Sequence, residues 1–403
     1  MRLSLLKPVI NRPGPWASVY ANVPLSTEDA AKQQELTASA TTAQLFALGA
    51  DEATCGAVHE ALLMPQEGSR GPHAGRVLFA AHGEIVLDTP LPGPPATPFA
   101  AWGPVPRVTP LLAAIGDDPV CLVVRLDRAG ADFALVGERG TGSTGRHSRT
   151  ASPLPRTAAG DPSERHFRTK PENTWEHNAG EIADAVRQAF EKSGAEAVVL
   201  VGEARERHLV HEKLPEPLRA LTCESSHGGR APGAESALVD RDIAQVRAVQ
   251  EREHIARVAD RFRTGAGPGN ESAPHAAAGI PALIEAAREH RIDTLLVSPH
   301  GSDIARQVWV GSDADQLAVR GTELSYLGEE HPAVARADDA LVRSAAATGA
   351  DVVVVRDADR APTGGLGAIL RGRWTRGRSE PRDAVPGTPA PSPPADRSPV
   401  GGR

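Results

Sequence analysis

Residues Gly137 to Lys170 carry the charge pattern from which the chain's chemistry is read. Seven basic side chains (Arg139, Arg146, Arg149, Arg156, Arg165, Arg168, Lys170) stand there against three acids (Glu138, Asp161, Glu164), so seven minus three gives +4 inside a chain of net charge −7. Glycine, serine, threonine and proline fill the remainder, and no helical or strand period survives. A long basic loop of this kind either is a solvated surface segment or follows a phosphate backbone. In the second case each neutralised phosphate releases counterions, with a salt slope of about −0.9 per contact on duplex DNA or −0.7 on single strands. His147 and His166 lie among the arginines and add hydrogen-bonding groups of variable charge.

Three sharper motifs invite chemistry and each fails on context. Gly140-Thr-Gly142-Ser-Thr-Gly145 has the spacing of a dinucleotide-binding turn. That turn must open a helix whose N-terminus holds the pyrophosphate. Arg146 to Pro155 has no helical period and holds two prolines, so nucleotide binding is not expected. His208 and His211 are three apart without a third ligand in view, which reads as two surface histidines. His147, Ser148 and Asp161 could be drawn as a triad, but no Gly-x-Ser-x-Gly signature accompanies them. No catalytic residue, metal ligand or cofactor is therefore assigned.

The loop needs a scaffold, and the flanking residues supply one. Asp132 to Val136 reads as a short strand stopped by Gly137, and Pro119 to Arg125 as its hairpin partner. Beyond the loop, Asn173 and Glu176 form a capping pair. Trp175, Ala179, Ile182, Val186 and Phe190 then follow at helical spacing. Gly194 ends that helix, and Glu196 to Val201 is an apolar run suited to a buried strand. The same device of amphipathic helix, short turn with an acid and aliphatic strand recurs at 276–298 and 333–355. Layered α/β architecture follows.

Domain by domain, residues 1–116 read as a small α/β domain. It has a strand over Ala17 to Val23, a helix from Ser26 and Asp29 towards Leu48, and a second from Asp51 to Leu63. Two strands about His82-Gly83 follow, and then a proline-rich connector, Pro92 to Pro106, that carries Trp102. Residues 117–264 form the middle domain, with a short strand over Leu218 to Cys223 and a half-buried helix from Asp240 to Arg263. Residues 265–371 form the third, with helices expected over Ala276 to His290 and Ala333 to Thr348, and a last strand near Gly364 to Leu370. From Arg371 onward apolar content nearly vanishes, seven arginines face three acids, and a flexible tail is expected.

Composition excludes several classes. At 403 residues and 40% hydrophobic content the chain builds real cores, whereas 3% aromatics leave little for a stacking platform on single strands. Cys55, Cys121 and Cys223 have no paired spacing, which fits a reducing cytoplasm without disulfides or a thiolate zinc site. No apolar run approaches a membrane span, and Met1 to Lys7 does not read as a signal peptide.

Glu172-Asn-Thr-Trp-Glu-His-Asn-Ala-Gly-Glu-Ile-Ala183, Ala197-Val-Val-Leu-Val-Gly-Glu203, Gly279 to Ser298 and Gly365-Leu-Gly-Ala-Ile-Leu-Arg371 resemble the bacterial relatives of the eukaryotic and archaeal class-1 peptide-chain release factor and Pelota, including the Balon-type ribosome hibernation factors. The resemblance covers residues 117–371 and, more loosely, the N-terminal domain. It implies a three-domain protein shaped for the ribosomal A site, with an RNase H-like middle domain. It also implies a C-terminal domain like ribosomal L30e that recruits a translational GTPase. In such release factors the middle-domain loop carries Gly-Gly-Gln, which places the hydrolytic water. Here the loop contains neither Gly-Gly nor Gln, Gly228-Gly229 is followed by Arg230 too late in the domain, and Asn-Ile-Lys-Ser is missing from the N-terminal domain.

The expectation is a non-hydrolytic, cytoplasmic, ribosome-binding factor acting in hibernation or rescue. Arg139, Arg146, His147, Arg149, Arg156, Arg165, His166, Arg168 and Lys170 would contact rRNA or tRNA. Two alternatives stand beside it. One is a peptidyl-tRNA hydrolase in which His166 positions the water. The other is a stress-related α/β protein without nucleic-acid binding, which the acidic sequence pI of about 6.1 favours.

Overall fold

In the computed structural model, residues 3–23, 30–64, 74–127, 130–137, 175–228, 236–266 and 275–371 are described. After a 3-10 turn (Leu3–Leu6) and a short helix α1 (Lys7–Ile10), strand β1 (Trp16–Val23) enters the first sheet. Helices α2 (Ala30–Ala47) and α3 (Glu52–Leu63) follow, then strands β2 (Ala74–Ala81), β3 (Glu84–Leu91) and β4 (Phe99–Gly103). The order is β3-β2-β1-β4, antiparallel throughout. Alternation along each strand sorts the side chains onto two faces. Ala17, Val19, Ala21, Leu78 and Ala80 pack under α2 and α3, whereas Trp16, Tyr20, Val77 and Phe79 point the other way.

That second face is buried by the far end of the chain. Helix α4 (Thr109–Ile115) leads to the middle sheet, but Trp16, Tyr20 and Phe79 share one core with Leu283, Leu295, Leu341 and Val352. The N-terminal and C-terminal thirds are thus joined by apolar packing over residues some 200 to 340 positions apart in sequence.

The middle sheet has order β6-β5-β7-β8, from β5 (Cys121–Asp127), β6 (Gly130–Val136), β7 (Ala197–Val201) and β8 (Thr222–Glu224). Strands β5, β7 and β8 are parallel, and β6 is the antiparallel edge predicted as a hairpin. One face packs on α5 (Trp175–Ser193), α6 (Ala204–Lys213) and the turn of helix α7 (Glu216–Arg219), through Leu122, Val124, Ile182, Val186 and Leu200. The other face meets α8 (Ser236–Gly265) through Val123, Val199, Val239 and Ile243. With both faces covered, every residue of β7 is buried, which is why that strand reads as an unbroken aliphatic run.

At 30 residues, or about 45 Å, α8 is long enough to serve two sheets. Its later turns set Phe262 against Leu296, Val353 and Ile369 of the third sheet, with Ile255 and Val258 packed alongside. That sheet, of order β14-β10-β15-β9, comprises β9 (Ala276–Ala278), β10 (Ile292–Val297), β14 (Asp351–Val354) and β15 (Leu366–Leu370). Helices α9 (Ile280–Arg288) and α11 (Ala337–Ala347) cover its other face. Between β10 and α11 lies a small sheet, β12-β11-β13, from β11 (Gln307–Val310), β12 (Leu317–Ala318) and β13 (Ala333–Arg336), with helix α10 (Gly321–Tyr326).

The α/β expectation holds, and the local differences have tertiary causes. Phe99 to Gly103 lies inside the segment expected as a proline-rich connector, yet it pairs with β1, Ala17 opposite Trp102, as an edge strand with its prolines outside. Ala276 to Ala278 and Ala333 to Arg336 are strands where helix starts were expected, because each finds a partner, β15 and β11 respectively. Gly279, at φ +81°, turns the chain from β9 into α9, and Pro281 sits in the first turn. Leu218 belongs to α7 rather than to a strand, and β8 begins only at Thr222. Ser26, Asp29 and Asn173, expected as caps, lie outside the described residues.

Candidate functional site

The basic loop leaves the middle sheet at a tightly built corner. Gly137 has φ +107°, and a Cβ there would stand 2.4 Å from the Pro119 carbonyl oxygen and 3.0 Å from Arg247 Nε. Arg247 Nε donates to that same Pro119 oxygen at 3.2 Å, and its guanidinium pairs with Asp118. Burial lowers the Arg247 pKa, and Glu251 one turn on opposes the shift. Glu251 Oε1 also accepts the Asp117 N–H at 3.0 Å and faces Arg356 at 3.4 Å, while His254 reaches Asp117 at 3.6 Å. Residues 247, 251 and 254 share one face of α8, so a single helix fixes the segment from which β5 and the loop both start.

The chain returns at Trp175. Val136 lies opposite Cys121, at the start of the parallel strands, and α5 runs back to reach that same end at Ser193. Its 19 residues, about 28 Å, therefore put its first turn near the other end of the sheet. Of the predicted apolar face, Ala179, Ile182 and Val186 are buried and Phe190 packs against them. All nine residues predicted to bind RNA (Arg139, Arg146, His147, Arg149, Arg156, Arg165, His166, Arg168, Lys170) lie outside the described residues, as do Ser148, Asp161 and Gly140 to Gly145. Their two anchors are what the structure places.

At the carboxyl end of the parallel strands stands a polar cluster that motif reading missed. Glu224, closing β8, faces His211 Nδ1 at 3.0 Å, Arg207 Nε at 3.6 Å and His208 Nδ1 at 3.8 Å. His208 also approaches Glu212 at 3.3 Å. The two histidines are thus engaged by carboxylates, and among the described residues no group of three His, Cys, Asp or Glu is placed to hold a metal ion. The signal available was their helical register facing a strand-end acid; it required knowing where β8 ends.

Next to it, Ser225 Oγ donates to Asp242 Oδ2 at 2.6 Å, and His227 Nδ1 lies 3.1 Å from the same oxygen. Hydrogen bonds from Ser225 and then His227 hold the Asp242 carboxyl below its ordinary value. Ser226 Oγ lies 3.2 Å from His227, again at Nδ1. A relay needs the carboxylate on one ring nitrogen and the hydroxyl on the other. Here both meet the same nitrogen, so the cluster ties β8 to α8 instead of activating a nucleophile. Cys121 offers no thiolate either, since burial pushes its thiol up to about 12.

A cavity of about 860 Å³ lies elsewhere, between α9 and the small sheet. Glu285, Glu289, Asp313, Asp315 and Glu323 line it with Arg288, a charge that repels phosphate.

Residues 120–268 match the family of bacterial archaeo-eukaryotic release factors termed family 2. Over that middle segment the chain is similar to the bacterial relatives of the release-factor and Pelota class, in line with the resemblance carried by Glu172 to Ala183 and Ala197 to Glu203. Two similar full-length relatives are the Mycobacterium tuberculosis proteins named uncharacterized protein Rv2629 (strain H37Rv) and MT2704 (strain CDC 1551). Each is 29% identical over 376 residues, spanning 92% of this chain and 97% of the relative. That likeness extends past the middle segment into both flanks. Among solved structures, Archaeoglobus fulgidus Pelota aligns over 77% of this chain and 82% of its own at 14% identity and a TM-score of 0.33. Saccharomyces cerevisiae Dom34 aligns over 75% and 81% at 12% and 0.34. Archaeal Pelota, in a model of its ribosome-bound complex with ABCE1, aligns over 91% and 92% at 15% and 0.36. At these scores the superpositions carry no argument about this chain.

Proposed function

We propose that this chain is a ribosome-binding translation factor of the release-factor and Pelota type, occupying the A site in hibernation or rescue without cleaving peptidyl-tRNA. One observation carries the reading: a release-factor family match over residues 120–268 encloses a loop of net charge +4 with neither Gly-Gly nor Gln. The loop's arginines would meet rRNA or tRNA phosphate, and the C-terminal domain would engage a translational GTPase. A division into domains at 1–116, 117–264 and 265–371 accompanies the proposal, since the sheets are built from those segments. Hydrolysis gains no support from the described polar clusters, which lack a nucleophile–base relay.

The test is cosedimentation of the full chain with ribosomes across a salt series, with and without elongation-factor GTPases, alongside a peptidyl-tRNA cleavage assay. Salt-sensitive binding without cleavage is expected. Replacing Arg146, Arg149, Arg165 and Arg168 by Ala should weaken binding at least about tenfold and flatten the salt slope by roughly 0.7–0.9 for each phosphate no longer neutralised. Unchanged binding after those replacements removes the loop from the interface, and cleavage by the wild-type chain restores the hydrolase.

A further inference from the structure

The seam between the first sheet and the last helix holds a polar group buried among apolar ones. Asp339, the third residue of α11, is fully buried. Its Oδ2 stands 2.7 Å from Arg107 Nε, and its Oδ1 accepts the Thr109 backbone N–H at 3.1 Å. Arg107 belongs to the other side. Its N–H donates to Ser18 Oγ at 3.0 Å, its carbonyl accepts from Tyr20 Oη at 2.5 Å, and Tyr20 Oη accepts the Leu111 N–H at 3.0 Å. Its guanidinium lies 5.5 Å from the Phe99 ring centroid.

Although close, Arg107 Nε and Asp339 Oδ2 do not align as donor and acceptor, so the pair has proximity without a hydrogen bond. Beside it Asp338, also buried, is held by Arg336 through bonds of 2.9 and 3.1 Å. Two adjacent carboxyl groups are thus buried in one seam, and only one of them has a well-aligned arginine.

We propose that this seam is a proton-linked latch, closed when Asp339 carries a proton and loosened when Asp339 ionises. The groups facing Asp339 are Asp338 on its own helix, Arg336 at the end of β13, Arg107 ahead of α4 and Tyr20 on β1. Burial, and after it the charge of Asp338, raise Asp339 to about 7, while Arg107 pulls the other way. Tyr20 is pushed up by burial and stays neutral. Asp339 is therefore the group of this seam that titrates near neutrality. Opening hydrates the carboxyl and returns it towards 3.8, so the closed seam binds a proton that the open one releases. Stabilisation from this linkage is complete at low pH and is lost as pH rises through about 7. The Arg107 side chain is 26% exposed, so its guanidinium is not wholly buried when Asp339 is neutral, although its Nε is.

Amide hydrogen exchange on the full chain tests the latch between pH 4 and 8.5, corrected for the intrinsic pH dependence of exchange. Protection of the Arg107 and Leu111 amides should fall as pH rises from about 4 towards 7, approaching tenfold per pH unit, and level off above about 7. Val199 and Leu200 in the middle sheet should keep theirs. Asp339→Asn, permanently neutral, should remove the pH dependence at the seam. Asp338→Asn, which deletes the like charge, should shift its midpoint to lower pH; this arm serves if the first variant does not fold. Wild-type protection that is flat with pH, an identical profile in Asp339→Asn, or an unmoved midpoint in Asp338→Asn would overturn the proposal.

Discussion

Gly137 shows how much one residue decides. Its positive φ and the closeness of Pro119 and Arg247 leave no room for a side chain. Gly137→Ala should cost about 1–3 kcal/mol, read as a lowered urea midpoint at unchanged slope. It should weaken ribosome binding with intact arginines, because it moves the point from which they depart. That glycine was legible as a strand stop, but its partners were not, since Arg247 lies 110 positions away. Asp51 was legible as the start of its helix, because a helix start is set by near neighbours, and the structure adds the cap: its carboxylate accepts the Thr54 N–H at 2.8 Å and the Thr54 hydroxyl at 2.7 Å. Asp339 was not legible, because an acid in the first turn of a helix ordinarily faces water and complements the helix dipole.

Elements were readable wherever a local period agreed with the tertiary partner. β7 and α5 satisfy that condition, and both appear close to their predicted bounds. Three short alanine-bearing or proline-flanked pieces did not satisfy it, and each became a strand because a neighbour offered a free edge. The aliphatic strand β7 is buried along its whole length. Leu200 is fully buried between β5 and α5, so Leu200→Ala should destabilise by about 2–5 kcal/mol. Thermal unfolding followed by calorimetry would report it, and a change below about 1 kcal/mol would mean that the pocket collapses around the missing atoms. α8 was underestimated at both ends: expected from Asp240 to Arg263, it runs from Ser236 to Gly265 and serves two sheets.

For the whole molecule, charge is distributed against function-by-average. The net −7 argues against polyanions, yet residues 137–170 carry +4 in sequence, and the cavity beside α9 is lined by acids. The resemblance carried by residues 172–203 agrees with the family match, whereas the sharing of one core by the first and last thirds was not legible, because no local rule places Trp16 and Leu341 in one cluster.

The third sheet is completed out of order. β15, the last strand among the described residues, lies in its interior between β10 and β9. During synthesis, then, β9 and β10 emerge first and stand with open edges until residues 366–370 leave the exit tunnel. The apolar underside of the first sheet waits for residues 280–354, which supply Leu283, Leu295, Leu341 and Val352. A premature stop before Leu366 should therefore yield a chain that aggregates or is degraded rather than a shortened but working factor, and expression of residues 1–365 with a solubility readout would show it.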